Sequence, residues 1–258
     1  MGESLAGSTP PVRVEVVQDR VLVVTIDRPS RRNAIDRATA DGLDAALNRL
    51  DDDPELWAGV ITGAGGFFCA GSDLRANRDY FTERGGEYGV VRRERRTPLI
   101  AAVEGFALGG GMEIALACDL VVAASDARFG LPEVTIGVLP TCGGLFRGPR
   151  ALPANVAREL VLTGDPMSAT RMYELGFVNR LTEPGDSLAG AIQLAERICR
   201  NAPVAVQACV RALDDALGDD AVGWSGTELA KDAAMDSADA AEGVSAFLEK
   251  RPPSWSGR

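Results

Sequence analysis

The segment Gly105-Phe106-Ala107-Leu108-Gly109-Gly110-Gly111-Met112-Glu113 decides how the chain is organised. Three consecutive glycines permit tight turns and let backbone N–H groups approach a ligand closely. The apolar residues 112–118 predict a short helix, whose N-terminus carries unpaired N–H donors and a partial positive charge. A group that becomes negatively charged is therefore expected to bind at this turn, with Glu113 held one turn inside the helix.

A purely structural interpretation of the same segment stays open. Glycine-rich turns into helices are common, and an acidic residue in the first turn simply complements the helix dipole. Two nucleotide-binding motifs are excluded. Gly105 and Gly110 have the spacing of a phosphate-binding loop, but Gly111 and the Met after it stand where Lys and Ser or Thr are needed. Ile114 stands where a dinucleotide-binding motif requires its third glycine.

Composition limits the classes of function. The 258 residues are 46% apolar and 25% charged, which is typical of one globular domain or one domain with an appendage. A net charge of −10 argues against nucleic acid or an anionic membrane as the main partner. The chain has no histidine, which excludes Ser-His-Asp and Cys-His nucleophilic sites. Acid–base chemistry must therefore use carboxylates, Tyr, Cys or Lys.

The cysteines and the N-terminus predict a cytoplasmic protein. Five cysteines are scattered without a C-x-x-C pair, which is typical of reduced thiols in the cytosol. The N-terminus shows no basic region followed by an apolar one, so no signal peptide is expected. The longest apolar run, residues 114–124, is interrupted by Asp119 and is too short to span a bilayer.

Hydrophobic periodicity predicts an α/β fold with a helical C-terminal part. Residues 1–11 are expected to form a flexible tail, 12–200 a core and 201–258 a helical region. Residues 75–96 are polar and irregular. Strands are predicted at 12–16, 21–26, 57–62, 99–103, 120–123 and 177–180. Helices are predicted at 38–50, 112–118, 154–162, 169–175, 187–200, 203–217 and 224–247.

Three separated stretches together carry a family resemblance. They are Phe68-Cys69-Ala70-Gly71-Ser72-Asp73-Leu74, the glycine run that ends in Glu113, and Pro132-Glu133 followed by Gly143-Gly144. In order and spacing they resemble the crotonase superfamily, the enoyl-CoA hydratase/isomerase family, and most of all an enoyl-CoA hydratase. The resemblance covers nearly the whole chain, from residues 26–29 to residues 247–251.

The resemblance implies a fold, a substrate class and an assembly. The fold is a right-handed spiral of ββα units over residues 12–200, with helices in 201–258 that pack trimers. The protein is expected to be a homotrimer or a dimer of trimers. The substrate is an acyl-CoA thioester; no separate cofactor and no metal are expected, because coenzyme A is part of the substrate.

The resemblance also implies catalytic roles. The N–H groups of Ser72 and Gly110 match the oxyanion hole, where backbone donors stabilise the charge that develops on the thioester oxygen. Because these donors are backbone, truncating the Ser72 side chain should matter little. Glu113 and Glu133 match two glutamates that add water across the 2,3 double bond of a 2-enoyl-CoA, giving a 3-hydroxyacyl-CoA. Our hypothesis is that Glu133 protonates the α-carbon and Glu113 holds water.

Further positions match substrate contacts in the family. Arginines in the set would supply a local basic patch for coenzyme A, although each alone could be a solvated surface charge. The matched positions are Arg31, Arg32, Ala34, Ala70, Asp73, Leu74, Arg75, Gly109, Thr141, Gly144, Phe247 and Lys250.

The sequence leaves alternatives open for the acyl group and for the type of reaction. Thr141-Cys142 replaces the Gly-Ala of common short-chain hydratases, so the acyl group stays open. An enoyl-CoA isomerase or other crotonase-type acyl-CoA chemistry is the first alternative, since fold alone does not choose. A non-catalytic acyl-CoA-binding protein is the second. The presence of both Glu113 and Glu133 favours hydration.

Overall fold

The structure, a computed structural model, describes residues 10–76, 79–217 and 220–258. The predicted flexible tail falls outside these residues up to position 9. At the end of the predicted tail, the carbonyl oxygen of Pro11 accepts a hydrogen bond from the Asp27 N–H at 2.8 Å. Among the described residues, no helix has both the length and the apolar character needed to cross a membrane.

Strands and helices alternate through the first two thirds of the chain, and helices follow. The strands are β1 (Val12–Val17), β2 (Val21–Ile26), β3 (Ala58–Gly63), β4 (Phe81–Thr82), β5 (Gly86–Glu87), β6 (Leu99–Val103), β7 (Phe106–Leu108), β8 (Leu120–Ala124), β9 (Arg128–Gly130), β10 (Met167–Ser168) and β11 (Arg180–Thr182). The α-helices are α1 (Arg37–Asp52), α2 (Gly110–Leu116), α3 (Gly144–Ala151), α4 (Ala154–Thr163), α5 (Ala169–Glu174), α6 (Ser187–Cys199), α7 (Pro203–Leu217), α8 (Ala221–Ala234) and α9 (Ala238–Glu249). Short 3-10 helices lie at Pro29–Arg31 and Pro132–Ile136.

The main sheet has the strand order β1-β2-β3-β6-β8-β11. The strands β1 and β2 form an antiparallel hairpin, and every later strand of this sheet joins in parallel. Both faces of the parallel strands are buried, which explains their continuous apolar runs. One face packs into the main core with α1, and the other packs on α6. A smaller sheet, β10-β9-β7, carries the chain from the glycine run towards Glu133.

Several sequence predictions about elements were wrong. The single helix predicted at 224–247 is two helices, because Ser237 accepts the Ala240 N–H with its side chain at 3.0 Å and starts α9 anew. The strand predicted at 177–180 begins only at Arg180. The apolar residue Phe177 serves core packing and not a strand, since it packs edge-on against Phe129 with ring centroids 5.6 Å apart. Helix α3 and strands β4, β5, β7, β9 and β10 were not predicted.

The segment between β3 and β6 is fastened to α1 by a buried arginine. The Arg93 side chain is fully buried and pairs with Asp44 at 2.6 Å and Asp51 at 3.1 Å. Next to it, a Cβ on Gly89 would lie 2.7 Å from the Asp44 nitrogen. Only glycine allows so close an approach. This contact fixes the turn that directs Tyr88 into the interior.

Candidate active site

Two glycine-containing turns meet at the centre of the site. Cys69 pairs with Ala107 in a parallel bridge, which aligns the Cys69–Ser72 turn with the glycine run. A Cβ on Gly71, which has a φ of +95°, would lie 2.9 Å from the Gly110 nitrogen. A Cβ on Gly111 would lie 2.9 Å from the Cys69 carbonyl carbon and nearer still to its oxygen. The two backbones therefore touch, and side chains at these glycines would separate them.

The backbone N–H groups of Ser72 and Gly110 are both left without a partner in the described part of the chain. Ile35 pairs with Ser72 by donating to the Gly71 carbonyl and accepting from the Asp73 N–H. In a parallel ladder this pattern turns the N–H of the intervening residue away from the partner strand. Gly110 is the first residue of α2, where an N–H has no acceptor within the helix.

Glu113 is buried and held by backbone donors. It lies one turn into α2 with 1% of its surface exposed. Its Oε1 accepts the N–H of Cys142 at 2.7 Å and the N–H of Gly144 at 3.0 Å. The start of α3 therefore fixes the orientation of this carboxylate through the Gly144 N–H. The predicted contact of Gly144 with the substrate stays a prediction.

Glu133 faces the same turns from the 3-10 helix Pro132–Ile136. Its Oε1 lies 3.2 Å from where a Cβ on Gly109 would stand. Its Oε2 is buried and has no hydrogen-bond partner among the described residues. A buried carboxylate oxygen that is left unpaired costs free energy, so it marks a place where a ligand or water group can bind.

Both glutamates have pKa values far above the ordinary range. Burial raises the pKa of Glu113 to about 7, although its hydrogen bonds from Cys142 and Gly144 act in the opposite direction. Burial, and then the nearby charge of Glu113, raise the pKa of Glu133 to about 8. The two carboxyl groups titrate as a pair, and near neutral pH the pair holds a proton. Such a pair can give a proton at one carboxyl and take one at the other.

The raised pKa values make a prediction about stability. Between a pH of about 4.5 and about 8 the folded protein binds more protons at Glu133 than the unfolded chain does, so the free energy of unfolding falls as the pH rises. Glu133→Gln removes this loss. We expect the Tm of Glu133→Gln to match that of the wild type near pH 4 and to exceed it at pH 9. The Tm difference should be roughly 2–4 °C for each kcal/mol by which the wild type is less stable at that pH.

The control is Glu159→Gln, at an exposed position on α4. Its Tm should follow that of the wild type at every pH, measured by calorimetry or circular dichroism. A Tm difference for Glu133→Gln that stays constant from pH 4 to pH 9 would show that the pKa of Glu133 is not raised.

Tyr88 lies at the site, although the sequence analysis did not single it out. It is 2% exposed, and its hydroxyl lies 2.9 Å from the Ser72 Oγ. A Cβ on Gly110 would lie 2.9 Å from its Cε2 and nearer still to its Cζ and hydroxyl oxygen. The available signal was the glycine content of the turn around it, Gly85, Gly86 and Gly89, which indicates a special backbone conformation.

The remaining predicted contacts are distributed around this centre. The Arg32 carbonyl accepts the Ala70 N–H at 3.1 Å, so the loop with Arg31 and Arg32 borders the Cys69–Ser72 turn. Arg31, Arg32 and Arg75 are exposed, and within the described ranges none forms an ion pair.

A neighbouring arginine contacts both Asp73 and Ala34. Asp73 pairs with Arg28 at 3.2 Å, and the Ala34 carbonyl accepts from the same guanidinium. Arg28 also pairs with Asp36 at 2.7 Å. These contacts give Asp73 a structural role that the sequence did not indicate, because it holds the two loops together.

The other predicted positions lie at the borders of the site. Leu74 and Thr141 are half-buried, and Thr141 adjoins the Cys142 that contacts Glu113. Phe247 and Lys250 are exposed at the C-terminal end of α9. No group of three His, Cys, Asp or Glu side chains in the described ranges is arranged to hold a metal ion.

Comparisons with known proteins agree on one family. The model of the enoyl-CoA hydratase/isomerase family matches residues 17–258. A carnitinyl-CoA dehydratase of Salmonella typhi is 39% identical over 250 residues, which cover 92% of this chain and 95% of the relative. The crystal structure of a carnitinyl-CoA hydratase from Mycobacterium avium superposes with a TM-score of 0.91 at 42% identity, covering 97% of this chain and 100% of that chain. An enoyl-CoA hydratase from Mycobacterium marinum superposes with a TM-score of 0.79 at 46% identity, with the same coverage.

Proposed function

Because the chain belongs to the enoyl-CoA hydratase/isomerase family and has its crotonase fold, we propose that it adds water reversibly across the 2,3 double bond of a 2-enoyl-CoA thioester. The family assignment already gives hydratase or dehydratase chemistry on acyl-CoA compounds. The observation that carries the finer proposal is the buried pair of Glu113 and Glu133, both with raised pKa values. The reaction uses no separate cofactor, because coenzyme A is part of the substrate.

The proposed reaction balances with one proton on the carboxyl pair. Glu133 gives its proton to C2 of the enoyl group while water bonds to C3 and loses a proton to Glu113. The π bond is consumed, and the charge that builds on the thioester oxygen returns to C2 as it is protonated. The pair holds one proton before and after the step, and exchange between the two carboxyl groups restores the starting state.

The unpaired Oε2 of Glu133 supports this division of roles. Glu113 already accepts two backbone hydrogen bonds at its Oε1, which favour its ionised form and suit it to orient and deprotonate water. Glu133 lacks such donors to its Oε2 and has the higher pKa, which suits it to hold the proton that C2 receives.

We assign the proposed oxyanion hole to the N–H groups of Ser72 and Gly110. Two observations support this assignment: the Gly71 and Gly110 backbones are in contact, and both N–H groups lack an acceptor in the described residues. Donors fixed by the backbone need no rearrangement when charge develops, and removing one such donor typically costs about 10²–10³ in rate. We further propose that the exposed Arg31, Arg32 and Arg75 contact the coenzyme A moiety, since their guanidinium groups are unpaired among the described residues.

Carnitinyl-CoA dehydration is the second candidate. It is the same chemistry run in reverse on an acyl group with a trimethylammonium substituent. The names of two relatives favour it, a carnitinyl-CoA dehydratase from Salmonella typhi and a carnitinyl-CoA hydratase from Mycobacterium avium. The Arg92 guanidinium lies 3.7 Å from the centroid of the Trp224 ring and pairs with Glu87 at 2.9 Å, so a trimethylammonium group would have to displace Arg92 to bind to this aromatic face.

The test is hydration of crotonyl-CoA by the purified protein, followed by the loss of absorbance of the conjugated thioester. We expect 3-hydroxybutyryl-CoA as the product. Parallel assays with 4-trimethylammonio-2-butenoyl-CoA compare kcat/KM for the two acyl groups, and a higher value for the cationic ester would select the second candidate. Binding of both esters without any product would contradict the hydratase proposal.

We also propose a homotrimer or a dimer of trimers. Helices α7 and α8 support this proposal, since they pack on the core only in part and expose large apolar side chains. Exposed apolar surface of this extent is typical of subunit interfaces. Sedimentation velocity measures the mass directly, and a monomer at micromolar concentration would contradict the proposal. The exposed residues are Val204, Leu213, Leu217, Val222 and Leu229.

A further inference from the structure

Tyr88 is held in an unusual backbone conformation. Its φ is +60°, a left-handed value that bulky residues rarely adopt. Gly86 and Gly89 beside it also have positive φ values, of +66° and +74°. The Tyr88 N–H donates to the Tyr80 carbonyl at 2.8 Å, and the two rings pack at a tilt of 31° with centroids 4.7 Å apart. Strain of this kind persists only where surrounding contacts enforce it, and it concentrates at functional sites.

These contacts place the phenol hydroxyl between Ser72 and Gly110. The hydroxyl is 2.9 Å from the Ser72 Oγ and overlaps the position that a Cβ on Gly110 would take. In a helix the Cα–Cβ bond tilts towards the N-terminus. Because Gly110 is the first residue of α2, the hydroxyl lies beside the end of the helix from which the Gly110 N–H emerges. The absence of a side chain at position 110 makes room for this group.

The hydrogen-bonding capacity of the two hydroxyls leaves a donor for a ligand. Each hydroxyl carries one proton and two acceptor lone pairs. When Ser72 donates to Tyr88, the phenolic proton stays available to a third atom. Burial raises the pKa of Tyr88 well above its usual value, so the phenol keeps its proton at any working pH. The Cys142 thiol lies within hydrogen-bonding reach of the phenol and is likewise neutral, because burial also raises its pKa. A neutral thiol is a weak acceptor, so it competes poorly with a thioester oxygen for the phenolic proton.

We propose that the Tyr88 hydroxyl donates a third hydrogen bond to the thioester oxygen of the substrate, beside the N–H groups of Ser72 and Gly110. This inference rests on the proposed function. It adds a side-chain donor to the two backbone donors, and it explains why the turn around Tyr88 is held in a strained conformation. The Ser72 side chain, for which sequence predicted little effect, then has the role of orienting the Tyr88 hydroxyl.

The first test compares Tyr88→Phe with Tyr173→Phe in the crotonyl-CoA assay. The chain has three tyrosines, and Tyr173 is half-exposed on α5, so it provides the same substitution away from the site. We expect kcat to fall by about 10- to 100-fold in Tyr88→Phe, somewhat less than for loss of a backbone donor. KM should change by less than about threefold, because the hydrogen bond strengthens mainly as charge develops. Tyr173→Phe should be unaffected.

Ser72→Ala completes a double-mutant cycle. Alone it should reduce kcat by only a fewfold, since the phenol remains in place but is less well oriented. Combined with Tyr88→Phe it should cost no more than Tyr88→Phe alone, because both changes act on one hydrogen bond. Additive effects of the two substitutions would overturn the assigned role of Ser72 as the group that orients Tyr88.

The second test is spectroscopic and does not use turnover. Crotonyl-CoA labelled with carbon-13 at the thioester carbonyl is bound to Glu133→Gln, where it stays unreacted, and the carbonyl stretch is read by infrared difference spectroscopy. We expect a lower frequency with Tyr88 present than after adding Tyr88→Phe. If Tyr88→Phe does not fold, uniform incorporation of 3-fluorotyrosine strengthens the phenol donor instead and should lower the frequency further.

The outcomes separate the two proposals. An unchanged kcat and carbonyl frequency in folded Tyr88→Phe, with an active wild type, would overturn the third donor and leave the proposed function intact. An unchanged frequency on fluorination would do the same. A wild type that binds crotonyl-CoA and the trimethylammonium ester but hydrates neither would overturn the proposed function itself.

Discussion

Glu133→Gln is expected to lower kcat for crotonyl-CoA hydration by about 10³- to 10⁴-fold, the upper part of the range for a positioned acid–base group. The glutamine amide has nearly the size of the carboxyl group but neither gives nor takes a proton at working pH. The Oε2 that it replaces is buried and unpaired among the described residues, so no structural hydrogen bond is lost there. Turnover is measured by the loss of enoyl-thioester absorbance.

Binding separates loss of chemistry from loss of structure. The Kd for butyryl-CoA, a saturated ester that cannot be hydrated, is measured by calorimetry for both proteins. The value for Glu133→Gln should stay within about threefold of the wild-type value, because a neutral amide resembles the protonated carboxyl group. Glu159→Gln, the exposed control on α4, should keep full turnover. Wild-type turnover in Glu133→Gln would remove Glu133 from the mechanism and leave the proton transfer to Glu113.

The second large effect is expected from a single methyl group at Gly110. In Gly110→Ala the new Cβ would stand 2.9 Å from the Tyr88 Cε2 and closer still to its Cζ and hydroxyl oxygen. The Tyr88 ring cannot move away easily, because the Tyr80 ring packs against it and the turn is anchored to α1. Either α2 or the ring must shift, which moves the N–H of residue 110. We expect kcat/KM to fall by about 10²-fold or more, as for loss of an oxyanion donor.

Gly148→Ala is the matched control for Gly110→Ala. Gly148 lies within α3, away from the apolar residues proposed for the subunit interface, and a Cβ there would meet only the Ala157 Cβ, at an ordinary contact distance of 3.9 Å. Alanine is the better helix former, so this variant should keep full activity and gain up to about 1 kcal/mol of stability in thermal unfolding. A folded Gly110→Ala with wild-type kcat/KM would show that the contact between α2 and Tyr88 is not needed for turnover.

Local signals explain what the sequence could predict. The glycine run predicted the turn into α2, and the structure places Glu113 one turn inside that helix. The strands β2, β3, β6 and β8 are largely continuous apolar runs, so their positions were found within a residue or two. The motifs around Ser72 and Glu133 were assigned through family resemblance, and the structure brings both to the glycine run.

What the sequence did not predict depends on distant contacts. Tyr88 reaches the site because Arg93 ties its turn to α1, and no local pattern contains that ion pair. Helix α3 contains Pro149, which argues against a helix by propensity. It forms because packing compensates, with Phe146 edge-on against Trp224 at 5.0 Å. The apolar pair at residues 177–178 indicated a strand, but it serves the core instead.

The packing of the last helix has a consequence for biosynthesis. Helix α9 lies against the 3-10 helix that carries Glu133, so closely that a Cβ on Gly243 would stand 2.9 Å from the Gly137 nitrogen. A ribosome makes residue 243 long after residue 133, once the strands of the main sheet have all been synthesised. The nascent chain can therefore assemble its sheet and the glycine turns while the support for Glu133 is still missing. We therefore expect the carboxyl pair to reach its working geometry only after α9 has left the ribosome.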